Sequence, residues 1–138
     1  MGNYFKNNCT GKIYYELLNK QQMDERKDVA IVRLEQLYPL PEKQLEELFE
    51  TYKGASFHWV QEEPKNMGAY DFVRDYFEDA LTQAGCKQTR LVYAGRDRSP
   101  STATGYAKDH LEEQKAIIKS ATTTPLKQIK PVLHWHLY

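Results

Sequence analysis

Val29-Ala30-Ile31-Val32 constrains this chain more than any other stretch. It is a run of four apolar residues, three of them β-branched, between the charged segment Asp24-Glu25-Arg26-Lys27-Asp28 and the polar exit Arg33-Leu34-Glu35-Gln36. A strand with one wet face alternates apolar and polar side chains, whereas an unbroken apolar run suits a strand covered on both faces. Two layers must therefore sandwich it, and the rest of the chain supplies them. Phe57 to Val60 and Leu91 to Ala94 read as further short strands. Between and beyond the strands, apolar residues recur at helical spacing: Ile13, Tyr14, Leu17 and Leu18; Leu45, Leu48, Phe49 and Tyr52; Ala69, Tyr70, Val73, Phe77, Ala80, Leu81 and Ala84; Leu111, Ile117 and Ile118. Strands alternating with amphipathic helices predict an α/β fold of three layers, a mostly parallel (mixed) sheet with helices on both faces.

Local signals set the element boundaries. Thr10 is a candidate N-cap for the first helix. Pro39 disfavours helix at Tyr38, while Pro41 suits the first turn of the second helix, which starts near it and is expected to end at Gly54. Gly85 is expected to stop the third helix. Residues 1–9 make only a weak first strand, and 122–138, interrupted by proline and lysine, read as an irregular C-terminal tail. The expectation is one α/β domain over 1–121, with no internal repeat.

At 138 residues the chain is long enough to bury one real core, and its 19 basic and 19 acidic side chains cancel. No long-range field is left to hold nucleic acid or an anionic membrane, so neither is an expected partner. No apolar run approaches the roughly 20 residues that span a bilayer, and the N-terminus lacks the apolar core of a secretion signal, which points to a soluble intracellular chain. Cys9 and Cys86 show no metal-ligand spacing and read as buried thiols in a reducing compartment.

Candidate chemistry gathers where strands hand over to helices. In open α/β sheets, ligands and partners sit at the carboxyl ends of strands, which draws attention to Gln61-Glu62-Glu63-Pro64-Lys65-Asn66-Met67-Gly68. Glu62 and Glu63 suggest a carboxylate pair, but neighbours on a strand point to opposite faces and would not converge on one atom. One of them is expected to cap the helix near Met67 and the other to pair a basic residue at an interface, so Gln61, Glu62, Glu63 and Asn66 form a candidate interface loop. Arg96, Asp97 and Arg98, beside Gly95 and a hydroxyl-rich segment that includes Thr104, hold the parts of an anion site: arginine forks and a helix N-terminus. Alternatively, these arginines pair across a domain or subunit boundary. No G-x-G-x-x-G or G-x-x-x-x-G-K-[ST] motif occurs. His58 and His110 stand alone, and His134 and His136 alternate about Trp135 without a third ligand, so no metal site is assigned. No catalytic residue emerges. Tyr14, Tyr15, Tyr38, Tyr70, Tyr93 and Tyr106 lie at loop or helix edges, as in domains that meet a neighbour.

Four blocks, in order and spacing, carry a resemblance: Thr10 to Tyr15 (TGKIYY), Val29 to Pro41 (VAIVRLEQLYPLP), Trp59 to Ala69 (WVQEEPKNMGA) and Tyr93 to Gly105 (YAGRDRSPSTATG). Over residues 9–121 the chain resembles the C-terminal domain of the thiamine-diphosphate-dependent first component of 2-oxoglutarate dehydrogenase, a fold of the transketolase C-terminal-domain type. The resemblance implies a non-catalytic domain that supports the dimer and packs on two preceding domains, which bind thiamine diphosphate and Mg²⁺ through a G-D-G motif. That motif is absent here, so the chain alone is expected to bind no cofactor and to be inactive. The full-length family implies a partner in the dihydrolipoyl succinyltransferase complex, a place in the tricarboxylic acid cycle, and a cytoplasmic location in bacteria or a mitochondrial matrix location in eukaryotes. Some members bind a regulatory nucleotide such as acetyl-coenzyme A near this domain, which adds weight to the Arg96 loop. The alternative reading is a free-standing interaction or regulatory module with an anion or nucleotide site at that loop. Two departures stand out: the family's first strand is apolar where Asn3 to Asn8 is not, and the tail after Thr122 has no counterpart.

Overall fold

A computed structural model describes residues 5–101, 105–122 and 135–137, with side chains for 8–101 and 105–122. The described elements are β1 (Phe5–Cys9), α1 (Ile13–Met23), β2 (Val29–Leu34), α2 (Glu42–Thr51), β3 (Ser56–Pro64), α3 (Tyr70–Gln83), β4 (Val92–Arg96), α4 (Ala107–Thr122) and β5 (Trp135–Leu137). Among the described residues they build one five-stranded sheet in the order β4-β3-β1-β2-β5, with every pairing parallel. The expected three-layer α/β fold is present, without a mixed pairing in the described sheet.

The alternation along each strand explains the layers. Val29 and Ile31 of β2 turn to one face with Cys9, Val60 and Ala94, where Ile13, Tyr14 and Leu17 of α1 and Ile117, Ile118 and Ala121 of α4 cover them. Val32 and Leu34 turn to the other face with Phe57 and Trp59, beneath Leu45, Leu48 and Phe49 of α2 and Val73, Phe77 and Leu81 of α3. The unbroken apolar run of β2 is thus divided between two cores.

Several expectations change. β1 is not a weak or missing strand but the central one, pairing β2 on one side and β3 on the other. Backbone bonds on both edges hold it in place, and buried Asn8 adds a side-chain bond from Nδ2 to His58 O at 3.0 Å. The stretch after residue 122 includes β5, which pairs β2 with Val32 opposite Trp135, so the chain returns to the sheet beyond the expected boundary. α1 begins after Lys12 rather than at a Thr10 cap, and α2 ends at Thr51, with Tyr52 rather than Gly54 at its C-cap. Leu111 is exposed, not inward. The third helix does end as expected, with Gly85 at φ 71° just beyond its last turn. β3 runs on through Gln61, Glu62 and Glu63 to Pro64, with a register irregularity against β4 between Val60 and Pro64. Arg96 is the last residue of β4 rather than a loop residue.

Candidate functional site at the carboxyl end of the sheet

Gln61 organises the exit from β3. It lies on the face of Trp59, and its Oε1 accepts the Trp59 Nε1–H at 2.9 Å and the backbone N–H of Tyr70, the first residue of α3, at 3.1 Å. Its Nε2 donates to the carbonyls of Met67 (2.8 Å), Pro64 (3.1 Å) and Glu63 (3.2 Å). One buried carboxamide therefore closes the turn and caps the helix, satisfying groups that would otherwise be buried without partners. The expected carboxylate cap is corrected: a neutral amide has both the acceptor and the donors this turn needs, and a carboxylate has no donor. Gly68, at φ 66°, passes so close that a Cβ would lie 3.0 Å from Gln61 Oε1.

Glu62 and Glu63 diverge, as strand geometry requires. Glu62 lies 3.4 Å from Lys12 Nζ and accepts a bond from Gln114 Nε2 at 2.8 Å, while the same nitrogen reaches Glu16 at 3.0 Å. Glu63 is exposed. No shared reaction centre lies between them.

The turn after β3 is sewn to the segment after β4. Asn66 donates from Nδ2 to Ser99 O at 3.0 Å and accepts the Ser99 N–H on Oδ1 at 2.9 Å, imitating a strand pairing with one side chain. The Lys65 N–H reaches Arg96 O at 3.0 Å. The Tyr93 hydroxyl also meets Arg96 O, at 2.7 Å, and burial pushes its pKa up to about 12, so it remains a donor. Gly95 makes room for that hydroxyl, since a Cβ there would fall 2.4 Å from it. Lys65 Nζ sits over the rings of Tyr70 and Tyr93, 5.7 and 5.5 Å from their centroids.

Arg96 turns toward α4, where its Nε lies 2.6 Å from Glu113 Oε2. A groove of about 440 Å³ opens between the end of β4 and α4, lined by Arg96, Arg98, Ser99 and Glu113 above Ala116 and Ile117. Arg98 is exposed and has no ion pair among the described residues. Thr104 lies outside the described residues, as does His134. Glu113 and Gln114 had no sequence signal: each is one polar residue among many on the surface of α4, and only the packing of that helix brings them to the strand ends.

The remaining candidates are structural in their surroundings. His58 is buried, with Ser56 Oγ 3.1 Å from Nε2, and burial lowers its pKa to about 4, which keeps it neutral. Burial pushes the Cys9 thiol up to about 12 and raises that of Cys86, so neither is an activated nucleophile. His110 is exposed on α4, and His136 lies in β5 opposite Arg33.

The family described as 2-oxoglutarate dehydrogenase C-terminal matches residues 7–122. The chain belongs to that family. It is 43% identical over 114 residues to an oxoglutarate dehydrogenase of Buchnera aphidicola, and 42% identical over 116 residues to a 2-oxoglutarate dehydrogenase E1 component of Azotobacter vinelandii. A third relative, the E1 component of Cupriavidus necator, is 42% identical over 114 residues. These matches cover 82–83% of this chain and 12% of each relative's own length.

In this 2-oxoglutarate dehydrogenase C-terminal domain, the exposed aromatics share one end of the sheet. Tyr15 lies in the first turn of α1, Tyr38 between β2 and α2, Phe72 in the first turn of α3 and Tyr106 just before α4, all exposed. Each follows a strand of a parallel sheet, so all four stand at its carboxyl end, beside the joined turns of Gln61 and Asn66. No helix among the described residues is long and apolar enough to cross a membrane.

Proposed function

We propose that this chain serves as the non-catalytic C-terminal domain of a 2-oxoglutarate dehydrogenase decarboxylating component, docking by the carboxyl end of its sheet onto the thiamine diphosphate domains and supporting their dimer. The observation that carries this reading is the placement of Tyr15, Tyr38, Phe72 and Tyr106, exposed and at one end. Amphipathic rings left in water at one end of a sheet are what an interface covers. Among the described residues no three His, Cys, Asp or Glu side chains gather to hold a metal ion, and no step through thiamine diphosphate is assigned to this chain. In this reading the assembled enzyme works with a dihydrolipoyl succinyltransferase in the tricarboxylic acid cycle, in bacterial cytoplasm or a mitochondrial matrix.

The test is complementation. A relative's E1 component lacking its C-terminal domain is mixed with this chain, and association is followed by analytical ultracentrifugation. Association is expected, with a loss of about tenfold or more in affinity when Tyr38 and Phe72 are both changed to Ser. No association, or tight Mg²⁺-dependent binding of thiamine diphosphate by this chain alone, overturns the reading.

The groove at Arg96 favours a second reading, an interaction or regulatory module that takes a small organic phosphate. Arg96 and Arg98 supply charge-assisted donors and Ala116 and Ile117 an apolar floor. If ADP and acetyl-coenzyme A at millimolar concentration leave the melting temperature unchanged, this reading fails.

A further inference from the structure

α4 reaches beyond the sheet it covers. It runs against the strands: Gln114 Nε2 bonds Glu62 at 2.8 Å near the exit of β3, and the carbonyl of Thr122, its last residue, meets Arg26 ahead of β2. Glu113 and Gln114 are its first half-buried residues, and residues 107–112 before them are all exposed. At a rise of 1.5 Å per residue, the start of the helix stands about 10 Å clear of its first tie to the sheet.

The overhang nevertheless keeps the pattern of a buried helix. At roughly 100° per residue, Ala107, His110 and Leu111 fall on the same side as Gln114, Ile117, Ile118 and Ala121, which meet the sheet. Lys108, Asp109 and Glu112 fall on the other side, in line with Lys115 and Lys119. Helix turns surrounded only by water gain nothing from such segregation. Yet Leu111 is 56% exposed on the stripe, and Tyr106 beside it is 77% exposed.

The stripe is the wall of a step whose floor is the carboxyl end of the sheet. Gln114 ties α4 to Glu16 and Glu62 at the foot of the wall, so wall and floor keep their angle. A depth of about 10 Å is the width of one α-helix with its side chains. The chain covers only 12% of each relative's length, so most of the relatives' E1 component lies outside it, and the step opens on the same end as Tyr15, Tyr38 and Phe72.

We propose that one helix of the preceding thiamine diphosphate domains lies across the strand ends in this step and packs an apolar, uncharged face on Tyr106, Ala107 and Leu111. This rests on the docking reading above and supplies its contact element. α4 is then a bracket: its last turns grip the sheet and its first turns grip the neighbouring domain.

The experiment mixes the full chain with a relative's E1 component lacking its C-terminal domain and follows association by analytical ultracentrifugation. Leu111→Asp and Ala107→Asp, with folding checked by circular dichroism, are expected to weaken association about tenfold or more, whereas Lys108→Ala and Glu112→Ala on the opposite side of the same turns leave it unchanged. An acidic side chain at position 107 suits a helix N-terminus, so that variant tests the contact without weakening the helix. A photo-crosslinking amino acid in place of Leu111 should capture partner residues three or four apart on one helix, read by mass spectrometry. If the unaltered chain associates and the Leu111 and Ala107 variants match it, or all four variants weaken it alike, the step is not the contact and the docking reading stands without it. Capture of a strand or a loop overturns the helix. Self-association of the chain alone that Leu111→Asp abolishes makes a second copy the occupant and overturns the proposal. No association by the unaltered chain overturns the docking reading itself, and the bracket with it.

Discussion

The two faces of the sheet are held by different physics. On the α2/α3 face, Phe49, Phe57, Phe77 and Trp59 meet edge to face, with ring centroids 5.0 to 6.1 Å apart, in a dry aromatic core. On the α1/α4 face the buried core is mainly aliphatic, and polar clips supplement it. Arg26 forks onto Asp28 and reaches the carbonyl of Thr122, Gln114 spans Glu16 and Glu62, and Arg96 holds Glu113. The groove lies on the clipped face. The difference teaches where adjustment is possible: close-packed rings resist displacement, whereas an ion pair with one exposed partner can be exchanged for a ligand.

The comparison is tested most strongly by Phe77→Ala, which removes a fully buried ring between Phe49 and Trp59 and should cost about 4 kcal/mol in denaturant unfolding. A cost below that of clip removal would reverse the ranking of the two faces. Arg26→Ala comes next. It strands Asp28, whose carboxyl is held below its ordinary range chiefly by the Arg26 hydrogen bond, and should cost about 3 kcal/mol. If the loss is no greater than for an exposed pair, Arg26 does not anchor the end of α4.

Acid should discriminate between the faces. His58 shares the face of Val60, and its folded pKa is depressed from 6.5 to about 4 by burial. The unfolded chain therefore binds the proton more readily, and stability is complete above pH 6.5 and declines as pH falls toward 4. The slope from this group should approach about 1.4 kcal/mol per pH unit inside that window and vanish below it. His58→Gln should flatten the curve there; an unchanged slope would assign the acid sensitivity elsewhere. The smallest effect is expected from Lys12→Ala. Its contact with Glu62 is at the surface, and equilibrium unfolding should shift by less than about 0.5 kcal/mol. A larger shift would mean that the clips at the strand ends act as one network.

The α2 and α3 faces were legible residue by residue: Leu45, Leu48, Phe49, Val73, Phe77 and Leu81 are all buried where their spacing placed them. The divergence of Glu62 and Glu63 was legible too, because strand parity is a local rule. Leu111 was misread because an apolar residue at a permissible spacing does not report whether that turn of helix reaches the sheet. The role of Gln61 could not be seen, since Trp59, Pro64, Met67 and Tyr70 converge on its side chain only once β3 and α3 are placed.

What the sequence alone determined was the set of elements that announce themselves by apolar period, the α/β class that follows from their alternation, and the family, through four blocks in fixed order. Tertiary structure decided the rest. It put the polar β1 at the centre of the sheet, brought β5 back beside β2, and set Glu113 against Arg96. The physical reason is common to all three. Apolar periodicity records burial paid for by the residue's own side chain, whereas a polar strand, a short returning strand and an ion pair are each stabilised by partners far along the chain, and single-sequence patterns hold no trace of those partners.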